Sequence, residues 1–128
     1  MTTFMFTRAI GKEQFDIVSG IKISTYFAVK QENHGWLITH LPSGYLLTRC
    51  PWGSKSDAKT FIYLVETILG DQLNSPSPYF LKVLIDTDPR IKKLWEFIQH
   101  WLNRKNDKYR YVASDKDIIK LYKELEKL

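Results

Sequence analysis

Two stretches of this chain bring together residue types that neutralise phosphate and stack on bases. In the first, Arg104-Lys105-Asn106-Asp107-Lys108-Tyr109-Arg110-Tyr111, four basic side chains and one acid are interleaved with two tyrosines. Cations of this kind neutralise phosphates while rings stack on exposed bases. Arg90, Lys92 and Lys93 add charge on the helix expected just before it. The second stretch runs from Arg49 through Pro51-Trp52-Gly53-Ser54-Lys55-Ser56 into a helix start. Free amide groups and the helix dipole at such a start favour an anion. Lys55 and Lys59, four apart, share a helical flank, Arg49 ends the strand feeding the turn, and Trp52 offers a ring. The phosphate-loop pattern GxxxxGK[ST] is absent. Each stretch also has a plainer role. Ser54 and Asp57 suit a capping box beside solvated lysines, and a charge run is commonly a solvated face whose tyrosines pack back on the core.

Other chemistries find weaker footing. Cys50 would be a nucleophile only with a base in hydrogen-bonding reach. His40, on the adjoining strand, is four pairs from the position opposite Cys50, roughly 13 Å at about 3.3 Å per residue. His34 is nearer, but no third group accompanies it, and the thiol suits a small hydrophobe at a strand end. His34, His40 and His100 fall in a turn, a strand and a helix without HxxxH or CxxC spacing. Asp86 and Asp88 could share a cation, yet Asp88 stands where a helix cap is needed. No catalytic residue, metal or cofactor is therefore expected, and the protein is expected to be non-enzymatic.

The composition sets the frame. The chain has 128 residues and 44% hydrophobic side chains, suited to one domain with its own core. The net charge of +5 is spread, with seven basic and four acidic residues in 1–64 and twelve and ten in 65–128. That balance attracts nucleic acid or an acidic partner without singling out either. The one cysteine cannot form an internal disulfide, which favours a reducing compartment. The first residues lack the pattern of a signal peptide, and no apolar run is long enough to span a membrane. A cytoplasmic protein is expected.

The elements that must position these residues follow from periodicity and punctuation. Thr3–Ala9 suits an edge strand, and Phe15–Val18 a second, with Ser19-Gly20 as a kink or bulge. Residues 21–30 alternate with period two and predict one half-buried strand. After the turn signal Asn33-His34-Gly35, a strand runs from Trp36 to about Leu41. Pro42-Ser43-Gly44 predicts a hairpin to Tyr45–Arg49, pairing Leu41 with Tyr45, Ile38 with Thr48 and Trp36 with Cys50. Ser54 to Leu69 predicts a helix stopped by Gly70, its apolar arc made of Ala58, Phe61, Ile62, Leu64, Val65, Ile68 and Leu69. Residues 73–78 form a short linker. Tyr79–Ile85 predicts a short helix, and Asp88-Pro89 opens another with the arc Ile91, Leu94, Trp95, Phe97, Ile98, Trp101 and Leu102. Asn103–Tyr111 is expected as a polar, basic loop. A last helix, about Asp115–Lys127, carries the stripe Ile118, Leu121, Tyr122 and Leu125.

The expected architecture is α+β. An antiparallel sheet of three or four strands and one amphipathic helix (1–72) precede a helical part (79–128) within a single domain. The expected partner is DNA or RNA, met by Arg49, Trp52, Lys55, Lys59, Arg104, Lys105, Lys108, Tyr109, Arg110 and Tyr111. The alternative is a protein partner or a second copy of the chain, because Trp36, Tyr45, Tyr63 and Trp95 exceed what a small core needs. Exposed Trp, Tyr and Arg are common interface anchors.

Overall fold

A computed structural model describes residues 3–11, 14–32, 34–77, 79–105 and 108–127. Asn33 of the turn signal, Pro78 of the linker, and Asn106 and Asp107 of the basic stretch lie outside the described residues. The chain is α+β, with a four-stranded antiparallel sheet in its N-terminal half followed by helices. The sheet order is β1 (Phe4–Gly11), β2 (Gln14–Lys22), β3 (Phe27–Glu32) and β4 (Gly35–His40). Then come α1 (Lys55–Leu69), a 3-10 turn at Gly70–Leu73, α2 (Phe80–Thr87) and α3 (Pro89–Ile98). A second 3-10 turn, Gln99–Trp101, leads into β5 (Leu102–Lys105) and β6 (Lys108–Tyr111), and α4 (Asp115–Glu126) follows.

The helix starts stand where the caps predict them. Ser54 Oγ accepts the Asp57 N–H at 3.1 Å, and Asp88 accepts from Arg90 N–H at 2.9 Å with Pro89 at the first helical position. Ser114 and Asp117 close a full capping box. Such caps each contribute about 1 kcal/mol by satisfying amides that the helix cannot. Gly70, at φ 52°, ends α1 in a conformation that β-carbons resist. The apolar arc of α1 is buried at Ala58, Phe61, Ile62, Leu64, Val65 and Leu69. One buried cluster joins these to Val29 and Ile38 of the sheet, Ile91 and Leu94 of α3, and Ile118, Leu121 and Leu125 of α4. It therefore takes residues from both sides of the linker.

Four expectations need correction. Residues 21–30 are not one strand: β2 ends at Lys22, β3 begins at Phe27, and Ile21 faces Val29 across the pair. The N–H groups of Ile23 and Ser24 both donate to the Phe27 carbonyl, at 3.0 and 3.2 Å. The reversal contains no Gly, Pro, Asn or Asp. It is held from outside, where the Ser24 hydroxyl donates to the carboxylate of Glu66 on α1.

The hairpin after β4 also takes another register. Thr39 faces Leu46, His40 rather than Leu41 bonds Tyr45, the Ile38 carbonyl accepts from Leu47 rather than Ile38 pairing with Thr48, and Trp36 faces Trp52 rather than Cys50. The turn is one residue longer than expected, because Gly44 N–H donates to the His40 carbonyl at 2.7 Å. Residues 48–50 then bend out of the ladder, with Thr48 Oγ1 donating to the Cys50 carbonyl at 3.0 Å. Third, Asn103–Tyr111 is not a loop: β5 and β6 form an antiparallel ribbon, and Leu102 opens a strand. Finally, α3 stops at Ile98, so Trp101 and Leu102 do not extend its helical arc.

Candidate nucleic-acid interface

The two basic stretches, separated by about fifty residues of sequence, meet through one aromatic ring. Trp52 is fully buried, and its ring centroid lies 4.8 Å from Phe61 of α1, 5.2 Å from Tyr111 of β6 and 6.2 Å from Trp101. Its indole N–H meets no acceptor among the described residues, so packing alone holds the ring. Main-chain hydrogen bonds reinforce this joint. Tyr111 N–H donates to the Pro51 carbonyl, and Gly53 N–H donates to the Tyr111 carbonyl, both at 2.8 Å. Val112 N–H donates to the Trp101 carbonyl at 2.8 Å. The base of the β5–β6 ribbon is thus fixed against the turn that leads into α1.

Register divides the ribbon into two faces. Opposed residues in an antiparallel pair share a side, and neighbours along a strand alternate. Leu102 faces Tyr111 and Arg104 faces Tyr109 on one side; Asn103 faces Arg110 on the other, where Lys108 also lies. Leu102 is half-buried and Tyr111 is 2% exposed, so the first face is rooted in the core. Further out on that face, the Arg104 guanidinium carbon lies 5.3 Å from the Tyr109 ring centroid, and Tyr109 is 48% exposed. On the second face Asn103 and Lys108 are exposed and Arg110 is half-buried. Arg110 Cδ passes over Gly53, 3.6 Å from where a β-carbon would stand. The Lys105 side chain lies outside the described residues; its backbone pairs with Lys108.

Arg49 is exposed, and burial raises the Tyr111 pKa against the opposing charge of Arg49. Among the described residues, no carboxylate lies within 4 Å of the cationic groups of Arg49, Lys59, Lys108 or Arg110. The start of α1 is less open to an anion than its sequence suggests. Asp57 stands in its first turn, and burial, opposed by the Ser54 hydrogen bond and aided by the nearby Asp115, raises its pKa. Asp115 in turn accepts from Thr60 of α1 at 2.9 Å. Two carboxylates therefore already occupy the positive end of the helix. Lys55 is half-buried, and Lys59 leans the other way, 5.9 Å over the Tyr63 ring. Tyr63 is 47% exposed and lines a groove of about 380 Å³ with Thr60, Ile119 and Tyr122.

Two of the ten candidate site residues lie in the core. Trp52 and Tyr111 are at 0% and 2% exposure and present no face to a base. They are the joint on which the site is built. Tyr109, the third candidate ring, is 48% exposed.

The remaining candidates take structural places. Cys50 is half-buried, and among the described residues no hydrogen bond joins it to His34, whose backbone has φ 66°. Asp88 is engaged by Arg90 at 2.9 Å, which holds its carboxyl below the usual range. Among the described residues no three His, Cys, Asp or Glu side chains are grouped to hold a metal. His100 is exposed in a 3-10 turn.

One arrangement has no counterpart in the sequence reading. His40, 1% exposed, bonds Ser43 Oγ through Nδ1 and the Leu73 carbonyl through Nε2, each at 2.7 Å. The carbonyl can only accept, so Nε2 carries the proton and Ser43 donates to Nδ1. The pair has the atoms of a nucleophile and its base. Yet Ser43 is 7% exposed and its oxygen already accepts from Tyr45 N–H at 3.3 Å. It is a staple tying the turn after β4 to the end of α1's 3-10 extension. The i, i+3 spacing of His40 and Ser43 is visible in the sequence; the carbonyl 33 residues away is not. No protein-family model, curated protein or solved structure matches this chain.

Proposed function

We propose that this protein is a non-enzymatic nucleic-acid-binding module of the cytoplasm. Arg104, Lys105, Lys108 and Arg110 would meet phosphates, and Tyr109 would stack. Arg49, Lys55 and Lys59 would add phosphate contacts from the segment that leads into α1. The observation that carries this reading is the Trp52–Tyr111 bridge, which seats a short ribbon rich in cations on a rigid base. Cations held on a fixed frame bind a polyanion without first losing backbone entropy. The single cysteine suits a reducing compartment.

Retardation of DNA or RNA at low salt tests the reading, with affinity falling steeply as salt rises because each phosphate contact releases a counterion. A protein that retards neither DNA nor RNA at low salt would refute it.

A second reading draws on a separate observation. Register places Met5, Phe15 and Ile17 on one face of the β1–β2 hairpin, at 59%, 49% and 66% exposure. Exposed apolar clusters of this kind mark protein interfaces. Size-exclusion chromatography with light scattering tests self-association through that face.

A further inference from the structure

We infer that the protein forms a two-fold dimer by pairing the free edge of β1 with β1 of a second copy, antiparallel and centred on Met5. This rests on the self-association reading above and gives it a partner strand and a register.

Three observations lead there. First, the edge is open. β1 stands at one end of the sheet order, and its Ala9 N–H points outward to the Gly44 carbonyl. Backbone groups alternate in direction along a paired strand, so the N–H and C=O of Met5 and the N–H of Thr7 point outward too. Among the described residues these three groups meet no partner. The Thr7 carbonyl lies 3.4 Å from where a β-carbon on Gly44 would stand, so the turn after β4 closes the edge from that point on. The other end of the sheet is covered: on β4, Trp36 bridges Trp52 and Thr39 bridges Leu46.

Second, the open segment lacks the devices that keep edges apart. Exposed edges are commonly guarded by charge, proline or a bulge. Residues 3–7 contain no charged residue and no proline, and the shift in register of β1 falls between Ala9 and Gly11, past the opening. Arg8, the first charge on the strand, is drawn back to Glu32 at 2.6 Å.

Third, the segment is its own complement. Thr3-Phe4-Met5-Phe6-Thr7 reads the same in both directions. Antiparallel pairing about Met5 therefore sets Met5 against Met5, Phe4 against Phe6 and Thr3 against Thr7 of the second copy. Aromatic pairs and threonine pairs facing one another across strands are favourable. The Phe4 and Phe6 rings are stacked, with centroids 6.1 Å apart, on the face away from Met5. Met5 is 59% exposed, so the pairing covers apolar side chains on both faces. Because the Met5 groups point outward, that residue exchanges two hydrogen bonds with its own copy, and each Thr7 N–H meets the opposed Thr3 carbonyl.

Sedimentation velocity from about 1 to 200 μM decides the matter, since mass action populates a dimer as concentration rises. The wild-type chain should dimerise. Met5→Pro removes an N–H that the ladder to β2 does not use. It should raise the dissociation constant at least about tenfold, through the two hydrogen bonds lost at the centre. Met5→Lys should act in the same direction by setting like charges opposite each other; its side chain is exposed, so it serves where the proline variant does not fold. Mixing Met5→Lys with Met5→Glu should restore a heterodimer, as a two-fold through Met5 requires. Dimerisation unchanged in Met5→Lys and in folded Met5→Pro overturns the inference and leaves self-association standing. Lys and Glu variants that stay monomeric when mixed overturn the register centred on Met5. A wild-type chain that is monomeric at every concentration overturns the inference and the self-association reading together.

Discussion

Two of the protein's β-hairpins, β1–β2 and β5–β6, differ in almost every respect except how they are held. The β1–β2 hairpin is long, with strands of eight and nine residues, and exposes Met5, Phe15 and Ile17. The β5–β6 ribbon has four residues per strand and exposes Lys108 and Tyr109. An isolated two-stranded hairpin is marginal in water, so each needs a seat. Both seats belong to the segment after β4. The long hairpin rests on the turn at Pro42–Tyr45, where Ala9 N–H donates to the Gly44 carbonyl at 2.8 Å and Phe15 meets Tyr45 edge-on at 6.0 Å. An ion pair from Arg8 to Glu32 at 2.6 Å helps hold it down. The short ribbon rests on Pro51-Trp52-Gly53. Its seat is aromatic and dry, whereas the seat of the long hairpin depends on the polar staple of His40.

The aromatic seat should be the costlier to lose. Tyr111→Ala removes a ring buried against Trp52 and is expected to destabilise the fold by about 3–5 kcal/mol in urea unfolding. Tyr111→Phe keeps the ring and should restore most of that stability. Nucleic-acid affinity should follow the same order if the ribbon must be seated to bind.

The polar seat should cost less and report elsewhere. His40→Ala leaves the Ser43 hydroxyl and the Leu73 carbonyl without their partner, at about 1–3 kcal/mol. Amide exchange should accelerate at residues 42–45 and along the long hairpin more than at 108–111; equal acceleration at both would break the comparison. pH acts on the same staple. Burial, outweighing the Leu73 hydrogen bond, holds the His40 pKa below its ordinary 6.5. The imidazole stays neutral in the fold while the unfolded chain takes up the proton. Its contribution is intact above about pH 6.5 and is lost as pH falls through that value towards the folded pKa. His40→Gln, which cannot titrate, should flatten stability over that window.

Ser114→Ala touches neither hairpin and removes one capping box, a loss of about 1 kcal/mol that calibrates the other two. Smallest of all, Ile17→Lys and Lys108→Ala should each change stability by less than about 0.5 kcal/mol, since both side chains are exposed. Their effects should separate in binding: Ile17→Lys should alter self-association alone, and Lys108→Ala nucleic-acid affinity alone.

Much of the helical half was legible because its signals are local. Ser54, Asp88 and Ser114 each cap amides two or three residues away, and the arc of α1 repeats at the helical period. The antiparallel sheet was legible as a class, from alternation and turn residues. The failures share a cause. The reversal at 23–26 leans on Glu66, 42 residues from Ser24, and the shifted register after β4 leans on His40, Ser43 and Leu73. Neither partner is a neighbour in sequence.

For the candidate site the division is similar. Composition alone marked the cations, and the exposed ones stand within reach of solvent. The aromatic residues were marked for the same chemistry, yet Trp52 and Tyr111 were drawn inward and only Tyr109 was left outside. By itself the sequence determined where helices start, that strands lie antiparallel, and which side chains carry charge, because caps, alternation and ionisation act over a few residues. Only the tertiary structure decided which rings are core and which face water. Burial of an aromatic side chain depends on every surface that can close over it, and for Trp52 those surfaces come from α1, the turn at Trp101 and β6.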